Sequence, residues 1–317
     1  MIGSNISIAL VNIGIEVIGV DNLERGEKKN IQLILDANNF TFRYSDISSD
    51  SSWACDMNKE DIVIHTADVV AGIGYVFENE WRVFKRNIQI NSFFAETTLS
   101  YSPEKIIYLG TACSYPEHLQ RSVSDSGLVE NDKFPASPES GYGWSKLIGE
   151  IEFKLAYKNS RTKLITLDLH NVYGWPCIYS DSTSQVIPAL IYKALTNEEL
   201  SVWGDGKQGR AFVEVNDVVE AVKDAINYKG ERDNFMIGPK FCSTISEIAN
   251  IIINNPLTKS SRVIFDTSKP VGDVGRFSKS IISEDDLTWA PEVNISEGIH
   301  SLISEIKNDM ETRGQNN

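Results

Sequence analysis

EVIGVD, residues 16–21, is a short apolar run rich in β-branched residues and closed by an acid. Apolar residues at helical spacing, Gly3–Ile13, stand just before it. Four similar runs follow: Phe40–Tyr44 (FTFRY), Asp61–His65 (DIVIH), Lys105–Leu109 (KIIYL) and Leu164–Leu169 (LITLDL). Runs of this length and composition read as strands buried on both faces of a parallel sheet. Arg82–Leu99 and Gly143–Tyr157 carry the apolar spacing of helices between them. Strand and helix in alternation predict an α/β fold with a doubly wound (Rossmann) parallel sheet.

Beyond about residue 175 the pattern loosens. Gln185–Thr196, Val215–Tyr228 and Thr244–Ile253 read as helices, Ser201–Trp203 as a short strand, and Asn234–Ile237 as a return to the sheet. A first lobe over 1–175 and a smaller lobe over 176–317 are expected, the second holding the substrate. The polar tail after about Glu311 is expected to fray. The chain carries a net charge of −14, which disfavours a nucleic-acid partner because phosphate backbones need clustered positive charge. No apolar run nears the roughly 20 residues that span a bilayer, and no basic stretch leads into an apolar one at the start. Cys55, Cys113, Cys177 and Cys242 show neither metal-ligand nor disulfide spacing. A cytoplasmic protein with no metal site is expected.

In a doubly wound fold a dinucleotide sits where the first strand enters a Gly-rich turn and helix, its pyrophosphate on the helix N-terminus. The sequence opens at Met1-Ile2-Gly3-Ser4-Asn5, already at the start of such a helix. Gly3 reads as the last glycine of the turn. The first strand and most of the Gly-rich loop are expected to be absent from the sequence as given, with the neighbouring strands facing a gap. Asp21 closes the next strand about 20 residues on, where an acid grips the adenosine ribose and disfavours a 2′-phosphate; with Asn22 it points to NAD rather than NADP. Asp46 and Ile47, after the third run, are candidates for the adenine side.

Tyr142-Gly143-Trp144-Ser145-Lys146 places a phenol and an ammonium four residues apart, on one helical face. A nearby ammonium is expected to lower the phenol pKa towards the working range. A hydroxyl from Thr111, at the end of a preceding strand, completes a trio able to move a proton to or from an alcohol.

The stretches HTADVVAGIGY (His65–Tyr75), GTACSYPEH (Gly110–His118), PESGYGWSK (Pro138–Lys146), LHNVYG (Leu169–Gly174), VWGDGKQGRAF (Val202–Phe212) and TWAPE (Thr288–Glu292) together resemble extended short-chain dehydrogenases acting on nucleotide sugars. Within these the chain is most similar to the GDP-mannose 3,5-epimerases, with the GDP-fucose synthases next. The resemblance implies an NAD-dependent nucleotide-sugar epimerase working through transient oxidation at C4. It makes Tyr142 the acid/base, Lys146 its partner, Thr111 the usual serine, and Cys113 a cysteine that exchanges a carbon-bound proton. It places Ala67 at the cofactor, and Gly72, Gly74, Asn171, Gln185, Val186 and Lys193 at the substrate. Arg210 and Arg276 suit a diphosphate, since a guanidinium fork fits phosphate oxygens, and Trp203 beside Gly204-Asp205-Gly206 suits a base. Gln185 departs from the pattern: the resembled epimerases have a lysine there and the synthases a histidine, and an amide cannot donate and recover a proton. A C4 epimerase or a synthase-like reductase is the rival enzyme, and an inactive binding protein the rival of another class. Pairing into a homodimer through Arg82–Leu99 and Gly143–Tyr157 is also implied.

Overall fold

The computed structural model describes residues 1–122, 127–269, 274–279 and 287–315. The first part of the chain runs α1 (Ile2–Asn12), β1 (Val17–Asp21), β2 (Phe40–Tyr44), β3 (Ile62–His65), α2 (Ile73–Glu78), α3 (Glu80–Tyr101), β4 (Lys105–Thr111), α4 (Gly141–Tyr157) and β5 (Lys163–Leu169). It continues through β6 (Asn171–Tyr173), α5 (Val186–Thr196), β7 (Glu199–Trp203), β8 (Gly209–Arg210), β9 (Phe212–Glu214), α6 (Val215–Asn227) and β10 (Asn234–Ile237). The last elements are β11 (Ser243–Thr244), α7 (Ile245–Ile253), β12 (Arg262–Asp266), β13 (Gly275–Arg276) and α8 (Ile295–Gln315).

Four strands pair in parallel in the order β10-β5-β4-β3. β4 is buried along its whole length, as a strand covered by helices on both faces must be. On one face α3 and α4 pack Phe94, Phe153 and Tyr157 against Ile106 and Tyr108. On the other, α1 and α6 pack Leu10, Val218 and Val222 against Ile107, Ile165 and Leu167. Thus α6 and β10, though late in the chain, join the core of the sheet. A separate core gathers Ile191, Leu200, Ile248, Ile299 and Ile303 from α5, β7, α7 and α8.

α8 corrects the expectation of a frayed tail after Glu311, because the helix runs to Gln315. Ile299, Leu302, Ile303 and Ile306 recur at helical spacing and are almost fully buried, and Arg313 pairs with Asp309 one turn back at 2.7 Å. Packing of that apolar face carries the polar last turn with it.

β1 and β2 pair in parallel with each other but form a separate two-stranded sheet. Among the described residues, β1 pairs only with β2, and β3 only with β4. β1 and β3 also line one cleft, and Ile18 of β1 is 44% exposed, unlike any residue of β4.

Two buried histidines make stability depend on pH. His65, at the end of β3, stacks on Phe94 with ring centres 4.1 Å apart, and its Nε2 lies 3.1 Å from Asn91 Oδ1. His170, just after β5, has no hydrogen-bond partner at either ring nitrogen among the described residues. Burial pushes both imidazoles down to about 3. Unfolded, each protonates near 6.5, so the unfolded chain binds more protons in the window between. Stability is complete above that window and is lost as pH falls through it, by about 1.4 kcal/mol per pH unit for each ring. His170→Gln should remove one such share from the slope of a chemical-denaturation series between about pH 6 and about pH 4.

Candidate active site

β4 ends at Thr111, whose Oγ1 accepts the Cys113 N–H at 3.2 Å and opens a short turn, Ala112–Ser114. α4 begins after Ser140, whose Oγ accepts from the Gly143 N–H. A Cβ at Gly143 would stand 2.2 Å from the Cys113 carbonyl oxygen, so only glycine lets the first turn of α4 lie against this turn. That contact brings Tyr142 and Thr111 into the same cleft.

The loop after β3 supplies the other wall. Asn87 of α3 pins it, accepting the Val69 N–H at 2.7 Å and donating to the Val69 carbonyl at 3.2 Å. Asp68 thereby reaches Lys146 Nζ at 2.9 Å and accepts from the Tyr142 hydroxyl at 3.4 Å. Lys146 also stands 4.4 Å above the Tyr108 ring. Burial, then the Asp68 carboxylate, push the Tyr142 phenol well above its usual range. The expectation that Lys146 draws the phenol down is thus corrected: its ammonium is engaged by Asp68. The same pairing overrides burial and holds Lys146 above the ordinary ammonium value.

Cys113, half-buried, accepts a hydrogen bond from Arg276 Nη1 at 2.9 Å. The Arg276 guanidinium is anchored by Gln120 through Nε and lies 3.5 Å from Glu139 through Nη2. β13 and β8 pair so that Arg276 stands beside Arg210. Burial, then this neighbouring positive charge, lower Arg210 to about 10. Two guanidiniums held together in a cleft suit an anion such as a diphosphate. Arg276, read from the sequence as a phosphate contact, meets Cys113 as well.

The cofactor candidates gather at the C-terminal ends of β1, β2 and β3. Gly3, in the first turn of α1, faces Thr66 Oγ1, which a Cβ would approach to 2.9 Å. Ala67 lies two residues beyond the end of β3. Asp21 is exposed at the tip of β1 and accepts the Leu23 N–H at 2.6 Å. Asn22 donates to Asp46 at 3.4 Å. Hydrogen bonds from Ser48 and the Arg86 guanidinium outweigh burial and hold Asp46 at about 2. Ile47 packs on the core beneath. All of these line the cleft that holds Tyr142 and Lys146, about 1940 Å³ in volume. A helix N-terminus, an acceptor-only carboxylate at the strand tip and a Tyr–Lys pair fit a nicotinamide dinucleotide.

On the substrate side, the Gly72 N–H donates to the Thr183 carbonyl, tying the loop after β3 to the approach to α5. A Cβ added at Gly74 would stand 3.4 Å from the Trp203 ring. The ammonium of Lys193 lies 5.9 Å from the centre of that ring, and its Nζ donates to the Ser201 carbonyl at 3.3 Å. Trp203 is 39% exposed and free to stack. Asn171, Gln185 and Val186 also line the cleft, Gln185 at the position just before α5, with no side-chain hydrogen bond to the helix start among the described residues. Sequence reading missed Asp68, Glu139 and Gln120. Asp68 lies in a quoted stretch, but its partner Lys146 is 78 residues away and no local spacing joins them. No cluster that could hold a metal ion occurs among the described residues.

A Tyr–Lys pair leaning on the most buried strand of a doubly wound sheet, with a hydroxyl at that strand's end, defines a nicotinamide-dependent oxidoreductase type of site. The chain belongs to the NAD dependent epimerase/dehydratase family, which matches residues 1–238, and its cofactor is NAD. It is 27% identical to GDP-mannose 3,5-epimerase of Arabidopsis thaliana over 252 residues, 79% of this chain and 66% of that protein. It thus spans about two thirds of that relative's length. Two solved structures share the fold. UDP-glucose 4-epimerase of Thermotoga maritima with UDP-glucose has a TM-score of 0.84 at 23% identity, covering 98% of this chain and 96% of that one. UDP-N-acetylglucosamine 4-epimerase of Methanobrevibacter ruminantium with UDP-N-acetylmuramic acid has a TM-score of 0.85 at 22% identity, with the same coverage.

Asp21→Ala should weaken NAD binding about tenfold, the loss of one or two hydrogen bonds to ribose hydroxyls, and should narrow the preference over NADP. Titration calorimetry with both dinucleotides measures this; unchanged NAD affinity would remove Asp21 from the site.

Proposed function

We propose that the chain is an NAD-dependent epimerase of a nucleotide-diphosphate sugar, GDP-linked, working through a transient ketone at C4. The observation that carries this reading is the convergence of Thr111, Tyr142 and Cys113 on one cleft, with Arg276 bonded to Cys113. NAD, held by Gly3, Asp21 and Lys146, would supply the hydride acceptor and donor at the sugar carbon. Thr111 and Tyr142 hold the sugar hydroxyl, and Tyr142 carries its proton away and back. Cys113, a softer acid/base, removes a proton from a carbon beside the ketone, and Arg276 is placed to steady the negative charge that results. Arg210 with Arg276 takes the diphosphate, and Trp203 with Lys193 lies along the nucleotide. The identity to a GDP-mannose 3,5-epimerase supports the GDP-linked choice.

Gln185 favours a second reading, inversion at C4 alone. It lines the cleft where a second proton donor would be wanted, and its amide cannot supply one. Incubation with a panel of GDP- and UDP-sugars in heavy water separates the two. Deuterium at a carbon beside C4, lost in Cys113→Ser, supports the first. Inversion at C4 with no deuterium uptake supports the second and leaves Cys113 as packing. In either case Tyr142→Phe should lower turnover by on the order of 10²–10⁴ with nucleotide-sugar affinity within a few-fold; near-normal turnover would remove Tyr142 from the mechanism.

We further propose a homodimer through α3 and α4. These helices pack on each other, and Trp81, Trp144, Ile151 and Leu155 stay exposed on or beside them. No helix among the described residues is long and apolar enough to cross a membrane.

A further inference from the structure

We propose that Gln120 is a positioning residue that fixes the Arg276 guanidinium against the Cys113 thiol, and so governs proton exchange at carbon while leaving hydride transfer and substrate affinity almost unchanged. Gln120 lies a few residues beyond the turn that carries Cys113 and is 1% exposed. Its Nε2 donates to the Tyr115 carbonyl at 3.3 Å and to the Pro116 carbonyl at 3.1 Å. With both amide hydrogens committed to the chain after β4, Oε1 points the other way and accepts from Arg276 Nε. The sense of the amide is thereby fixed, because a guanidinium only donates and a backbone carbonyl only accepts. Gln120 also reaches β13 through its backbone: its carbonyl accepts the Gly275 N–H at 3.1 Å, one residue before Arg276.

Arg276 is thus held at both ends of its side chain. Its own carbonyl accepts the Ala211 N–H at 2.8 Å, which keeps the backbone beside β8. Gln120 then holds Nε, and a guanidinium is planar, so fixing one edge sets where the other two nitrogens point. Nη1 reaches Cys113 Sγ at 2.9 Å, and Nη2 lies 3.5 Å from Glu139. Tyr115 and Pro116 directly follow the Ala112–Ser114 turn that carries Cys113. Clamp and thiol therefore ride on one piece of chain, and Arg276 meets the sulfur in register although it comes from a distant strand. Removing the Oε1 acceptor releases the Nε edge and lets the guanidinium turn towards Glu139. Arg210 stays alongside to take a diphosphate, so the loss falls on Cys113 rather than on substrate binding.

This role in turnover rests on the proposed exchange of a carbon-bound proton by Cys113, but its first test needs neither cofactor nor substrate. In ¹⁵N-labelled protein the Arg276 Nε–H signal, assigned from Arg276→Lys, reports the clamp by its rate of exchange with water. Gln120→Met keeps the volume and removes the acceptor, and should speed that exchange at least about tenfold. Gln120→Glu keeps an acceptor and should hold it slow. Gln120→Asn, which withdraws the amide by one methylene, gives the same comparison if the methionine variant does not fold. The second test is turnover of the best nucleotide sugar in heavy water. Gln120→Met should slow deuterium entry beside C4 by on the order of ten- to a hundredfold. KM, and NAD reduction in a single half-reaction, should stay within a few-fold, and Gln120→Glu should recover part of the loss. In an Arg276→Lys background, where the guanidinium is gone, Gln120→Met should add little. An Nε–H signal unmoved by Gln120→Met, or deuterium entry and NAD reduction slowed in equal measure, overturns the positioning role and leaves Gln120 as packing of the turn. No deuterium entry with any sugar in the wild type would instead overturn the proposed proton exchange, with the Nε–H signal still deciding whether Gln120 holds Arg276.

Discussion

The first turn of α4 lies so close to the turn after β4 that a Cβ at Gly143 would stand 2.2 Å from the Cys113 carbonyl oxygen. This contact sets the candidate catalytic groups of β4 and α4 against one another. Thr111 and Cys113 are fixed by the end of a strand buried along its length, Tyr142 and Lys146 by the helix pressed on it, and the two sets meet because nothing larger than hydrogen separates them. A side chain at position 143 would have to lift α4 or distort the turn, and a misplacement of about 1 Å at reacting groups can cost on the order of a hundredfold in rate.

Around that contact, charge is arranged in opposite senses. On the cofactor side Asp68 compensates Lys146; on the substrate side Arg276 meets Cys113 and Glu139, with Arg210 beside it. Beneath both lies a buried network in which Lys133 pairs with Glu150 of α4 and, at 2.7 Å, with Asp168 of β5. Asp168 also accepts from the Tyr115 hydroxyl and the Asn234 amide, at 2.9 Å each. Breaking such a pair leaves an uncompensated buried charge, so this network ties α4 to the sheet from below as Gly143 does from above. A chain of net charge −14 can thus present two adjacent guanidiniums to an anion, because the field a ligand meets is set by the groups around the cleft.

The cleft is lined by β1 and β3, whose C-terminal ends carry the cofactor candidates. Asp21 and Asp46 are steadied from elsewhere: Asp46 by Arg86 of α3, and Asp21 by the backbone of its own turn. The position of the β1–β2 sheet relative to β3 therefore depends on α1, whose Leu10 packs on the sheet core and whose Val11 packs with Phe40 of β2.

Much of the fold was legible in residue order alone. Strands such as the one read at Lys105–Leu109 announce themselves as β-branched and apolar runs, and Tyr142 with Lys146 by a spacing of four, because both signals are properties of a few neighbouring residues. α8 carries the same kind of signal in Ile299, Leu302, Ile303 and Ile306, yet its polar last turn follows only from the packing of that face. What tertiary structure alone decided is which distant groups share a cleft. Asp68 meets Lys146, Arg276 meets Cys113 across 163 residues, and Trp203 lies against Gly74. Periodicity along a chain encodes which face of an element is buried. Pairings such as these, and with them the protonation of Tyr142, arise only when a loop pinned by Asn87 and a helix seated by Gly143 are brought to the same end of one sheet.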